Sequence, residues 1–189
     1  ITITDPIGMQ DAILLDSFNN LGGTLTLNSV QDSFSNILQV QETDSISISS
    51  SDILVTGPIG LDEALRLNSF TNQTVTLSDI SDTVENIEEL ELLKPSIDQV
   101  NGIDISNSEI LVTNNLNSAK ISEISNFTTN DISISKITDT HLNISGSNVI
   151  PNIDLTDSEI VIQDTVDLAL VNEISCLLYT SDAADDLVC

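Results

Sequence analysis

Ile53-Leu-Val-Thr-Gly-Pro-Ile-Gly-Leu-Asp-Glu-Ala-Leu-Arg-Leu-Asn68 and Ile110-Leu-Val-Thr-Asn-Asn-Leu-Asn-Ser-Ala-Lys-Ile-Ser-Glu-Ile-Ser125 are two versions of one pattern. Ile1 and Ile160 open further versions, so the intervals are 53 − 1 = 52, 110 − 53 = 57 and 160 − 110 = 50 residues. Apolar columns persist while polar residues drift. Ile3, Val55, Val112 and Ile162 form one column, and Ile7, Ile59, Leu116 and Val166 another. Ala12, Ala64, Ile121 and Val171 follow, then Leu15, Leu67, Ile124 and Ile174, then Phe18, Phe70 and Phe127. In the second half of the unit Leu25, Val75 and Ile132 align, as do Leu27, Leu77 and Ile134, and Val30, Ile80 and Ile137. The unit closes on Ile46, Ile103 and Ile153.

Self-similarity at this length predicts stacked units in which each apolar position lies above its equivalent. The expected fold is an α/β solenoid of strand-helix or strand-loop coils with a parallel β ladder; the alternative is an all-β parallel β-solenoid. The array covers residues 1–175, as copies 1–52, 53–109, 110–159 and a truncated 160–175.

Within the second copy the β-branched run Ile53–Thr56 reads as a strand, Gly57-Pro58 as a turn, and residues 60–68 as a short amphipathic helix with Asp62 and Glu63 in its first turn. Thr74–Leu77 alternates as a strand with Val75 and Leu77 inward. Asp82 with Glu85 resembles a capping pair ahead of a helix carrying Val84, Ile87, Leu90 and Leu93. In the third copy the stretch Ile144–Pro151, with its Gly and Pro, predicts loop in place of that helix.

Two polar features recur with the columns. One is Asp32-Ser33, Asp82-Thr83 and Asp139-Thr140; the other is Asn36-Ile37, Asn86-Ile87 and Asn143-Ile144. Stacked at one corner, Asn36, Asn86 and Asn143 form a structural ladder that satisfies turn backbone groups.

The motif Asp82-Thr-Val-Glu-Asn-Ile87, with Asp32-Ser-Phe-Ser-Asn-Ile37 and Asp139-Thr-His-Leu-Asn-Ile144, resembles the tandem Val-Ser-Asp-Thr-Ala-Ala-Asn-Ile-type repeat of large secreted or surface proteins of bacteria. The resemblance covers essentially all of residues 1–175 and implies an adhesin-like or surface-layer-like role. This chain is poorer in Ala than that pattern. Separately, Cys176-Leu-Leu-Tyr-Thr-Ser-Asp-Ala-Ala-Asp185 resembles, in one frame, the translation of a sequencing-library adapter, so residues 176–189 read as an artefact tail. Leu177, Leu178 and Tyr179 are otherwise good strand formers. With an opening Ile, the chain reads as an internal fragment of a longer frame.

The tail carries both cysteines and the single tyrosine. It also carries three of the thirty acids, which leaves 30 − 3 = 27 against four bases in residues 1–175. Arg66, Lys94, Lys120 and Lys136 are scattered, so the chain offers no electrostatic footprint for nucleic acid. Apolar content of 40% argues against disorder. No apolar run reaches the ~18 residues of a membrane span, so no membrane insertion is expected.

Catalysis requires a placed nucleophile, base or metal. His141 is the only histidine and shares a column with Phe34 and Val84, the place of a packed residue. Hard oxygen ligands abound, with Asp79, Asp82 and Asp131 the candidates for calcium, yet neither an EF-hand loop nor a glycine-rich nonapeptide is present. Helix caps and a solvated face account for these acids, and no resident cofactor is expected. The expectation is a non-enzymatic structural or adhesive repeat segment of a large extracellular or cell-surface bacterial protein. Its partners would be neighbouring repeats of the same chain and possible targets such as surface polysaccharide or another cell. The rivals are a carbohydrate-binding or carbohydrate-processing β-solenoid and a calcium-stiffened module.

Overall fold

A computed structural model of the chain describes residues 1–19, 22–96 and 98–179. The adapter-like stretch from residue 180 onward lies outside them. Two compact units divide the chain: Ile1–Ile80 with Asn86–Ser108, and Ser81–Glu85 with the chain from Glu109 onward.

In the first unit β1 (Thr2–Ile3), α1 (Met9–Ser17), β2 (Leu25–Leu27), β3 (Ser29–Asp32) and α2 (Phe34–Ile37) follow one another. A 3₁₀ turn over Leu38–Glu42 leads to β4 (Ile46–Ser47), β5 (Asp52–Ile59), α3 (Leu61–Asn68), β6 (Thr74–Asp82), α4 (Val84–Leu92) and β7 (Gly102–Asp104), of which Ser81–Glu85, the end of β6 and the start of α4, belong to the second unit. The second unit continues with β8 (Glu109–Leu116), α5 (Ser118–Ile124), β9 (Ile132–Asp139), α6 (His141–Ser147), β10 (Ile153–Asp154), β11 (Glu159–Ile162) and α7 (Leu168–Tyr179). The strand pairs are parallel, so each needs a crossover, and the helices supply most of these.

This architecture corrects both solenoid expectations. The chain is a mixed α/β fold with a large parallel sheet, a separate three-stranded sheet ordered β1-β2-β4, and seven α-helices among the described residues. Seven helices overturn the all-β alternative. Column mates are not neighbours either: Val55 pairs with Leu77 and Val112 with Ile134, so each first-half strand lies beside a second-half strand. The physical reason is that a parallel strand pairs with the next one the crossover delivers. Ladder continuity also breaks, because β2 pairs with β1 and β4 while β3, two residues later, pairs with β5.

Inward alternation is otherwise as the period-two pattern reads. Leu25, Leu27, Val30, Ile53, Val55, Val75, Leu77 and Ile103 are buried in the first unit, and Ile110, Val112, Ile132, Ile134 and Ile137 in the second. Helices complete the cores with Ala12, Leu67, Ile87 and Leu90 in one, and Ile121, Ile124, Ile144 and Ile174 in the other.

Four local readings differ. Gly57-Pro58 is not a turn but a bulge inside β5, where the register with β6 shifts between Val55 and Pro58. Gly57 reaches φ 88°, which glycine adopts at low cost. Residues 144–147 are helix rather than loop, because the buried Ile144 and a capped N-terminus outweigh the helix cost of Gly146. Phe18 does not share a core column: it is 71% exposed, beside the exposed Leu14 and Leu15 of α1, while Phe70 and Phe127 are half-buried. Leu177–Tyr179 form the last turn of α7 instead of a strand.

Candidate functional site

The recurring Asp-Ser/Thr step sits where a strand ends and a helix begins. Asp32 closes β3 and Asp139 closes β9, so each side chain leaves the sheet at a helix N-terminus. Such ends carry unsatisfied N–H groups and partial positive charge, which a carboxylate neutralises.

Each of these carboxylates works in two directions. Oδ1 of Asp139 accepts the Thr140 N–H at 2.8 Å, at the N-cap of the helix that follows, and the Asn143 amide at 2.8 Å, within that helix. Its Oδ2 accepts the Ser118 N–H at 3.0 Å, opening the preceding helix α5. Asp32 repeats the arrangement. Its Oδ1 takes the Ser33 N–H at 2.8 Å and the Asn36 amide at 2.7 Å, and its Oδ2 takes the Met9 N–H at 2.9 Å. One carboxylate thus serves two helices.

The ionised form is the form that makes these bonds. The Asn143 amide holds the Asp139 carboxyl below the usual carboxylate range against the opposing effect of burial, and the Ser118 and Thr140 N–H groups add to the lowering.

Asn36 and Asn143, two of the expected ladder members, are therefore partners of the aspartate four residues earlier. Asn86 lies half-buried on α4. At the start of α4 the distant acceptor is an amide: Asn114 Oδ1 takes the Val84 N–H at 3.0 Å, and its Nδ2 donates to Glu85 at 2.9 Å. Glu85 is thus engaged with β8. At α6 the distant acceptor is Asp164, whose Oδ1 takes the His141 N–H at 2.9 Å and whose Oδ2 meets the ring Nδ1 at 2.5 Å.

The calcium candidates stand apart. Asp79 Oδ2 accepts the Gly57 N–H at 3.2 Å and the Ser78 hydroxyl, so it braces the β5 bulge. Asp82 Oδ1 accepts the Thr83 N–H at 2.7 Å as a cap. Asp131 is exposed, and its backbone carbonyl receives the Ile110 N–H at 3.0 Å. Among the described residues no group of three or more His, Cys, Asp or Glu is arranged to hold a metal ion.

A second recurring feature escaped the sequence reading. Ser51, Ser108 and Ser158 each close a turn by donating N–H to the carbonyl three residues back, Ile48, Ile105 and Leu155. Their hydroxyls then reach carbonyls of an earlier strand. Ser51 bonds Leu27, Ser108 bonds Leu77 at 2.6 Å, and Ser158 bonds Ile134 at 2.5 Å. The signal was available: these serines recur at 108 − 51 = 57 and 158 − 108 = 50 residues, the intervals of the isoleucine columns. Two of the three are fully buried, where an unmet carbonyl is costly.

In the second unit an open groove of about 520 Å³ runs between α5 and α6, lined by Ser118, Ser122, Asp139, Leu142, Asn143 and Ile150 among others. None of the four phenylalanines lines it, and Asp139 reaches it already committed to two helix ends. Lys136 pairs with Glu159 at 2.7 Å, Lys120 with Glu123 at 2.9 Å and Lys94 with Glu91 at 2.7 Å. Arg66 donates to Gln41 at 2.7 Å. Among the described residues no helix is long and apolar enough to cross a membrane. No protein-family model matches the chain, and no curated protein or solved structure shows significant similarity to it.

Proposed function

We propose that the chain is a non-catalytic structural or adhesive repeat segment of a large extracellular or cell-surface protein of bacteria, whose work is to project or present surface. The observation that carries this reading is the use to which the carboxylates are put. Asp32, Asp139 and Asp164 each bind backbone N–H groups at helix starts, so their charge is spent on holding elements together. A hydrolase needs the opposite, a pair of carboxylates left free to exchange protons across a cleft. The formal charge of −26 keeps such a segment soluble and extended from like-charged neighbours, which suits a presenting role.

The test is to incubate the purified chain with a panel of neutral and acidic polysaccharides, following both retention on immobilised glycan and release of new reducing ends. Retention or indifference without release agrees with the reading. Release that is abolished by Asp139→Asn in a chain that remains folded overturns it.

A further inference from the structure

β11 pairs with β9 along one edge, and no described strand lies along the other. Its earlier counterparts are paired on that side. β5 has β6 there, with Ile53 beside Val75 and Val55 beside Leu77; β8 has β9, with Ile110 beside Ile132 and Val112 beside Ile134. The difference reaches the backbone bonds. The Ile110 N–H donates to the Asp131 carbonyl next to β9 at 3.0 Å, and Ile160 holds the same place in β11. The β11 groups that reach β9 belong to the alternate residues, as when the Gln163 N–H donates to the Asp139 carbonyl at 2.9 Å. By strand alternation the main-chain groups of Ile160 and Ile162 face the open side.

Side-chain burial agrees. Ile53, Val55, Ile110 and Val112 are at most 2% exposed, whereas Ile160 and Ile162 are only half-buried, although Ile160 lies beside the fully buried Ile137. What covers the earlier strands is a strand whose apolar residues alternate with Ser or Thr, Val75-Thr-Leu77 in one case and Ile132-Ser-Ile134 in the other. Charge marks the two ends of the open edge. Residues 160–163 are uncharged, with Asp157 and Glu159 before them and Asp164 and Asp167 after. Lys136 on β9 is already paired with Glu159.

We infer that the open edge of β11 is a docking site for an extended segment of a partner protein, in which β-branched residues alternate with Ser or Thr and a Lys or Arg stands at each end. Such a segment adds a parallel strand. Its main chain bonds Ile160 and Ile162, its apolar residues complete the cover over their side chains, and its basic ends meet the flanking acids. An apolar edge with unpaired main-chain groups is a template for another strand, which gives the docking its driving force. A second copy of this chain is a poor occupant, because a formal charge of −26 makes two copies repel.

The probe is the end-capped peptide Lys-Ile-Ser-Ile-Ser-Lys, which repeats Ile132–Lys136 behind an added lysine; its control carries Glu at both ends. Amide hydrogen exchange is followed on the whole chain. At about ten times its dissociation constant the basic peptide should slow exchange at Ile160 and Ile162 about tenfold, and leave Val161 and Gln163, bonded to β9, unchanged. The acidic peptide should bind about tenfold more weakly, and the gap should narrow between about 0.02 M and about 0.5 M salt. Ile162→Pro removes only an outward N–H, so it should abolish the slowing at Ile160 while Val161 and Gln163 keep their protection. Equal binding of the two peptides, no slowing at Ile160 and Ile162 with millimolar peptide, or slowing at Ile160 that persists in Ile162→Pro overturns the proposal. So does slowing at these amides that grows with chain concentration and needs no peptide, which makes a second copy the occupant. Should β11 detach in the variant, the two peptides on the unaltered chain decide alone.

Discussion

Asp139 caps the start of a helix 21 residues before it: its Oδ2 accepts the backbone N–H of Ser118 at 3.0 Å while its Oδ1 serves the next helix. Replacing it removes acceptors from both. Asp139→Ala should cost about 1–2 kcal/mol, the upper part of the range for a single lost cap. Asn143→Ala, which removes only the local amide, should cost less. Urea unfolding of the two variants checks the order.

The same carboxylates set the acid limit. The Asp139 and Asp164 carboxyls are both held below the ordinary range by bonds to their ionised forms. A depressed value contributes stability above the unfolded pKa, about 3.9, and loses it as pH falls through the folded value. Stability should therefore decline below about pH 4, and Asp139→Asn should flatten part of that decline. Thermal unfolding between about pH 2.5 and about pH 6 measures it.

Ser108 should matter more than its size suggests. Its hydroxyl is fully buried and donates to the Leu77 carbonyl at 2.6 Å. Ser108→Ala leaves that carbonyl without this donor and should cost about 1–3 kcal/mol. A cost indistinguishable from that of an exposed serine such as Ser122 would refute the assignment.

Two glycines separate close approach from backbone conformation. A Cβ on Gly102 would lie 2.5 Å from the Leu93 carbonyl oxygen and 2.9 Å from the Pro95 nitrogen, both backbone atoms. A Cβ on Gly57 meets nothing within 4 Å, but φ there is +88°, in the left-handed region where an L side chain is strained. Gly57→Ala should cost about 1–2 kcal/mol and Gly57→Asn less, since Asn tolerates positive φ. Gly102→Ala should cost at least as much, about 1–3 kcal/mol, and Gly102→Asn should bring no recovery. Chemical denaturation of the four variants tests the contrast.

Burial predicts the opposite of the phenylalanine column. Phe18 is 71% exposed, whereas Leu67 is fully buried on α3. Phe18→Ala should stay within about 0.5 kcal/mol of the unaltered chain, while Leu67→Ala should lose about 2–5 kcal/mol to its cavity. Similar losses at both sites would restore Phe18 to a core.

What the sequence discloses here is a direction, and what it withholds is a neighbour. Val75 and Leu77 read correctly as inward because strand alternation is a local property, and α3 and α4 read as helices because their apolar spacing is local too. That Val55 lies beside Leu77 depends on where a crossover lands, which no spacing records. The Asp-Ser/Thr-x-x-Asn motif shows the same division. Its bond from Asn143 to Asp139 spans four residues and leaves a visible pattern, while the bond from Ser118 spans 21 and leaves none. Gly57-Pro58 looked like a turn because its residue types suit one, but Asp79 on the adjoining strand holds it as a bulge.

The distant caps also impose a timetable on synthesis. Met9 waits for Asp32, Val84 for Asn114, Ser118 for Asp139 and His141 for Asp164, so a helix leaving the ribosome lacks its acceptor until 21 to 30 further residues have been added. Each of these four helices stays unfinished on a nascent chain until that later residue emerges, so their completion runs from the amino end toward the carboxyl end.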